Sequence, residues 1–342
     1  MFVLNSEITI GNFSFRGVHG VRITRSLHSV EDTAVIKIPA IASMIKDGRN
    51  YGERLVTGNQ FKEGDPVVIL LGYNGEMKEE FRGFVKRRNL NMPLEVECEG
   101  YSWLLRRNKV SCSEESLTLK GYLLKAVAGL GAGYHIAVHC TLDCMLNNVQ
   151  ENGNGLDVLN HIAKYTDGAV SCFFIEPSVL WCGLIYTPYG HGNDVLKVGK
   201  VQYRLGYNTP KANTLKERVK TDDPVAVKYS KKLASGTKLA GISDVFKKYT
   251  RTHSRLLNQI KSAATLKLLA NEKACRINYD GYEGSITTFL QPFAQPGYRA
   301  YIADARYPER DGDYLVESVA TTYGINGAKR AVEIGVRIGF LE

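Results

Sequence analysis

The chain has 342 residues, 44% of them hydrophobic and 23% charged, enough for two or three domains of ordinary globular composition. No apolar run reaches the roughly 18–20 residues of a membrane-spanning helix, and seven cysteines without CxxC spacing predict free thiols in a reducing compartment instead of a disulfide framework. The formal charge of +9 is local: residues 211–261 hold 13 Lys and Arg against Glu217, Asp222, Asp223 and Asp244, and the rest of the chain sums to zero, so only that stretch needs an electrostatic explanation.

The amino-terminal MFVLNSEITIGNF lacks a basic region and a small-residue cleavage site, which predicts a protein made and first folded in a cytoplasm. Residues 1–108 read as short strands: ITIGNFSF, GVRITRSL, TAVIKIP, DPVVILLGY, EEFRGFVKR and LEVECEGYSWL. Alternation in Val35–Ile38 and Leu94–Cys98 gives each run one apolar and one charged face. Asn74-Gly75 is a preferred hairpin pair. Strands at this spacing suggest a small barrel or sandwich.

From about Val110 the pattern changes. Apolar residues at helical spacing predict a helix over Leu117–Ala128, stopped by Gly129–Gly133, and a second over Leu156–Thr166 capped by Asn154 or Gly155. Strands follow at Val170–Ile175 and Val179–Tyr186. From about Val201 the chain is again β-rich, apart from a helix near 256–274.

The two β-rich ends resemble each other. Gly64-Asp65-Pro66-Val67-Val68-Ile69 matches Gly297-Tyr298-Arg299-Ala300-Tyr301-Ile302, and 17 residues later Phe81–Val85 matches Tyr314–Ser318. A turn and a last strand follow in both, Leu94–Cys98 and Val332–Ile338. The expected fold is therefore α+β and mainly β. Two similar small β-barrel modules, 1–108 and 201–342, flank an α/β middle segment, 109–200.

EGDPVVILLGYNG, EEFRGFVKRR and LEVECEGYSWLLRR, followed by NGLDVLNHIAKYTDGAVSCFFIEPSVLWCGLIY and QPGYRAYIADARYPERDGDYLVESVATTYGINGAKRAVEIGVRI, together resemble the baseplate hub proteins of contractile phage tails. That group includes the late control protein D family and the hub part of type VI secretion spike proteins. No single motif is diagnostic; their order along nearly the whole chain carries the resemblance. It implies a homotrimer in which two barrels per chain give a pseudo-sixfold ring, joining a tail tube protein to a trimeric spike protein, with further baseplate proteins as neighbours. Such a protein is not an enzyme, needs no cofactor or metal, makes no membrane-spanning contact and meets nucleic acid only in passage. Its place is the virion baseplate, assembled in the bacterial host cytoplasm.

Other residues suggest other chemistries. His135, His139, Cys140 and Cys144 have zinc-ligand types, but strand alternation puts both histidines on one face and Cys140 on the other. Cys172 and Cys182 face each other across a predicted hairpin in apolar runs that suit inert thiols. The pairs Glu79/Glu80, Asp222/Asp223 and Asp311/Asp313 would suit glycan cleavage, yet fall beside turns or strand ends without an apolar pocket. Serine-hydrolase, zincin, P-loop and dinucleotide motifs are missing, and the three segments leave no length for a lysozyme-like domain. The remaining alternative is a β-barrel nucleic-acid binder using 211–261, with Tyr229 and Tyr249 between its cations. Trp103, Trp181, Phe173 and Phe174 are expected in the core or at subunit contacts.

Overall fold

A computed structural model describes residues 3–46, 49–131, 133–186, 199–209, 214–219, 223–245 and 248–338. The amino-terminal alternating runs become β1 (Leu4–Ile10), β2 (Phe13–Phe15), β3 (Gly20–Ser26), β4 (Thr33–Ile38), β5 (Ile41–Lys46), β6 (Arg49–Val56), β7 (Pro66–Tyr73), β8 (Glu76–Asn89) and β9 (Leu94–Glu99). In β9 the apolar residues Leu94, Val96 and Cys98 are buried while Glu95 and Glu97 are half-buried. The β7–β8 turn has positive φ at both Asn74 (54°) and Gly75 (88°), as a tight hairpin turn of the right twist requires. Inward residues of β1, β3, β4, β7, β8 and β9 converge on one core around Ile8, Ile36, Ile69, Phe81 and Val96.

The middle of the chain holds α1 (Ser102–Arg107), β10 (Lys109–Thr118), α2 (Leu119–Val127), β11 (Ala137–Cys140), β12 (Met145–Asn154), α3 (Gly155–Tyr165), β13 (Ser171–Glu176) and β14 (Val179–Gly183). Asn154 caps α3: its side chain accepts the N–H groups of Leu156 (2.9 Å) and Asp157 (3.2 Å), and Asp157 accepts the Asn154 N–H at 2.9 Å. The remaining elements are β15 (Lys200–Arg204), β16 (Lys216–Arg218), β17 (Val225–Lys232), β18 (Lys238–Ile242), β19 (Arg251–Leu256), α4 (Ala263–Ile277), β20 (Gly281–Thr288), β21 (Arg299–Ala303), β22 (Gly312–Gly324) and β23 (Gly327–Arg337).

The helix expected near 256–274 starts seven residues late, at Ala263. Leu256 ends β19, Leu257 and Ile260 bury themselves from the connecting turn, and the Ser262 hydroxyl caps the helix by accepting the Thr265 N–H at 3.0 Å. Apolar residues in that turn mimic helical spacing. Val227, Tyr229, Leu266 and Leu269 then join the same buried core as Leu123, Leu159 and Ile162. The strands and helix of 225–277 thus pack on the middle segment.

The fold is α+β and mainly β, and its two β-rich ends share one plan. Both β7–β8–β9 and β21–β22–β23 are antiparallel meanders, with β4 beyond β9 and β20 beyond β23. Each opens on a glycine with φ of +90°, Gly64 or Gly297. The Gly64 N–H donates to the Val85 carbonyl (2.8 Å) and the Val85 N–H to that of Asp65 (2.9 Å); Gly297, Val316 and Tyr298 repeat this at 2.9 and 2.9 Å. Val85 faces Cys98 and Val316 faces Ile334 in the next strands. These bonds match Val85 with Val316, two residues away from the equal-offset alignment of Phe81 with Tyr314. The stretch from Gly64 to Val85 is two residues longer than that from Gly297 to Val316, and a slip of two keeps every side chain on its own face.

Among the described residues, thirteen strands form one continuous sheet, and no pairing closes either end of it into a barrel. The halves meet where β3 pairs with β22, from Gly20 opposite Gly324 to Ser26 opposite Ser318. The first part of β22 pairs instead with β21.

Candidate interaction surfaces

Among the described residues, the carboxylates that suggested chemistry are held in ion pairs or, for Asp311, by a backbone N–H. Glu79 binds Arg82 (2.6 Å), Asp313 binds Arg299 (3.0 Å) and Lys200 (3.5 Å), Asp223 binds Arg251, and Asp311 accepts the Asp304 N–H at 2.7 Å; Asp222 lies outside the described residues. Glu80 departs from the expected solvated acid. It is buried in mid-strand against the guanidinium of Arg330, which is itself fully buried. Sequence parity held this signal, since Arg330 shares the inward face of β23 with Ala328, Val332 and Ile334.

The Arg-rich end of the first module is also drawn into ion pairs. Glu99, with its side chain fully buried, accepts Lys86 (2.9 Å), Arg106 (3.0 Å) and Ser102 (2.9 Å). Burial pushes its carboxyl up, but these hydrogen bonds outweigh it and leave it below the usual value. Trp103 stacks on Phe84 with centroids 5.0 Å apart and carries the Arg107 guanidinium at 3.9 Å. Phe173, Phe174 and Trp181 are buried.

His135 and His139 are exposed, Cys140 is half-buried and Cys144 is buried with its thiol pushed up to about 12 by desolvation. No three His, Cys, Asp or Glu side chains form a metal-binding group among the described residues. Cys172 and Cys182 do face each other, with sulfurs 3.2 Å apart, and β11 adds Cys140 opposite Cys182. The hairpin pairing was legible in sequence; nothing local announced that β11 would lie parallel beside β14.

In the basic stretch, Lys211, Lys220 and Lys247 lie outside the described residues. Arg218 pairs with Glu283 (2.6 Å), Arg251 with Asp223 and Arg255 with Asp167. Tyr229 is buried and donates to Asp167 at 3.0 Å, so its ring offers no stacking face, and Tyr249 is half-buried. Burial and the charge of Lys261 hold Lys231 below the usual lysine value. Among the described residues of 211–261, positive charge is therefore concentrated without a fully exposed aromatic ring beside it.

Equivalent hairpins expose apolar tips, Leu90 and Met92 between β8 and β9, and Ile325 between β22 and β23. Among the described residues no helix is long and apolar enough to cross a membrane.

No family model and no curated protein matches the chain. Solved structures do. A tail protein from Neisseria meningitidis MC58 superposes over 99% of this chain and 98% of its own, with a TM-score of 0.65 at 12% identity. The 43 kDa tail protein of prophage MuSo2 from Shewanella oneidensis covers 99% and 100%, with a TM-score of 0.61 at 12% identity. An E. coli component of the type VI secretion system, described as structurally similar to T4 bacteriophage tail proteins gp27 and gp5, covers 98% of this chain and 77% of its own, with a TM-score of 0.58 at 9% identity. The chain thus has the fold of phage and prophage tail proteins along its whole length.

Proposed function

We propose that the protein is a structural baseplate hub of a contractile tail, forming a trimeric ring of six near-equivalent β modules between tail tube and central spike. The observation that carries this is the duplicated meander: one chain presents two copies of the same strand–turn–strand plan, fixed side by side through the β3–β22 ladder. Three such chains place six like modules around one axis, which is what a joint between sixfold and threefold partners requires. The whole-length likeness to tail proteins supports the same reading.

In this role the modules, 1–108 and 201–342, shape the ring, and the middle segment, 109–200, braces them. The exposed tips Leu90, Met92 and Ile325 are suited to contacts between subunits or with the tube. The function is binding and symmetry matching without catalysis, in a virion baseplate assembled in the host cytoplasm. Among the described residues, the carboxylates a glycan-cleaving hub would use are committed to cations or a backbone N–H instead.

Light scattering on the purified chain at low and high salt tests the ring. The expected mass is about 114 kDa, three times the 38.0 kDa of one chain, unchanged by salt because obligate contacts of this kind are largely apolar. A monomer at tens of micromolar would sink the self-assembling ring.

A further inference from the structure

Three cysteines lie in one row across the sheet of β11, β14 and β13: Cys140 is opposite Cys182, and Cys182 is opposite Cys172. We infer that this row is a thiol–disulfide site, in which Cys182 bonds to Cys140 or Cys172 under a peroxide oxidant and the third sulfur allows exchange between the two. The site stands whether or not the chain assembles into a ring.

Geometry carries the assignment. The sulfurs of Cys172 and Cys182 are 3.2 Å apart, closer than two unbonded sulfurs normally rest. Directly opposed residues on paired strands have Cα atoms about 4.5–5.5 Å apart, inside the roughly 4.4–6.8 Å that a disulfide spans. Cys172 lines a cleft of about 250 Å³, together with Leu27, Leu156 and Arg276, through which a small oxidant can reach it. Cys182 is fully buried between its two half-buried neighbours.

The row also differs electrostatically from the other cysteines. Desolvation raises the thiols of Cys98, Cys112, Cys144 and Cys275. Cys140 goes the other way, to about 7, because the Cys182 thiol donates a hydrogen bond to its sulfur, assisted by the Leu142 backbone. Being also only half-buried, unlike Cys182, Cys140 serves as the nucleophile at neutral pH.

In the first step the Cys140 thiolate attacks hydrogen peroxide. An S–O bond forms, the O–O bond breaks, and the departing hydroxide takes a proton to become water, leaving a sulfenic acid. Cys182 then attacks that sulfur; the S–S bond forms, the S–O bond breaks, and the Cys182 proton leaves with the oxygen as a second water. Two thiols are oxidised by two electrons and one peroxide is reduced. Attack of the Cys172 thiolate on the Cys182 sulfur then transfers the bond and releases Cys140 as thiolate.

Reduced full-length protein is treated with hydrogen peroxide at pH 7, unfolded in guanidinium chloride so that buried thiols also react, alkylated with iodoacetamide and read by intact mass and peptide mapping. Of the seven thiols, two should escape alkylation, in a peptide joining Cys182 to Cys140 or Cys172, and dithiothreitol should restore both. Cys140→Ser should keep the Cys172–Cys182 bond but slow its formation about tenfold. The double variant Cys140→Ser/Cys172→Ser, which leaves buried Cys182 untouched, should form no internal disulfide. In the folded, reduced protein, alkylation of Cys140 should set in at lower pH than that of the other six thiols. Seven alkylatable thiols after peroxide, or a bond between other cysteines, would overturn the proposal.

Discussion

Arg330 has no exposed surface, and a guanidinium in that position persists only if acceptors surround it. They do: Glu80 and the Leu290 carbonyl accept its N–H groups, the Pro292 carbonyl accepts at 3.2 Å, and the Phe293 ring lies 4.8 Å below it. Thr321 adds a hydroxyl to Glu80 at 3.3 Å. The pair ties β8 of the first module to β23 of the second. Its net contribution can be small, because desolvation offsets attraction, whereas removing one partner leaves a bare buried charge. Arg330→Met should therefore lower unfolding stability by about 3–5 kcal/mol, measured as a shifted urea midpoint. Glu80→Met/Arg330→Met should recover much of the loss. If the double variant is as damaging as the two single changes added together, the pair is not the coupled unit described.

At the level of elements, α3 is the helix whose start is best defined. Asn154 and Asp157 cap each other's backbone, and Asn154→Ala should cost about 1 kcal/mol in the same unfolding assay, without changing the solution mass. No change in midpoint would mean that packing of Gly155 against the Leu105 and Ala126 carbonyls holds the end unaided. This helix was legible because cap and apolar period agree. The start of α4 was not, because Leu256, Leu257 and Ile260 have helical spacing but serve a strand end and a buried turn; Ser262 was the better signal. In β22 the sequence shows a strand, yet not that its first residues pair with β21 and its last with β3. Pairing partners some 300 residues apart leave no local trace, since alternation specifies a face and not a neighbour.

For the whole molecule, the duplicated plan was legible through its glycine-led strands, and the sequence alignment missed by two residues because Gly64–Val85 is two residues longer than Gly297–Val316. The packing of 225–277 onto the middle core was not, since surface basicity says nothing about which core a strand joins. That packing also decides what the basic stretch can do. Tight single-strand binding needs exposed rings on which bases stack as well as cations along the backbone. Here Tyr229 is buried, and Arg218, Arg251 and Arg255 already face carboxylates. The remaining lysines can attract phosphates only through screened, non-specific charge. A fluorescence-anisotropy titration with single-stranded DNA should therefore give a Kd in the non-specific range, about 10⁻⁴–10⁻⁶ M at physiological salt. Affinity should fall steeply between about 50 and 200 mM salt as counterions compete. A nanomolar Kd that survives the higher salt would require bases stacked on rings such as the exposed Tyr207, and would replace the proposed hub with a nucleic-acid binder. For the proposed hub, weak, salt-sensitive binding would let a genome pass, because a tight grip on the strand would obstruct its transit.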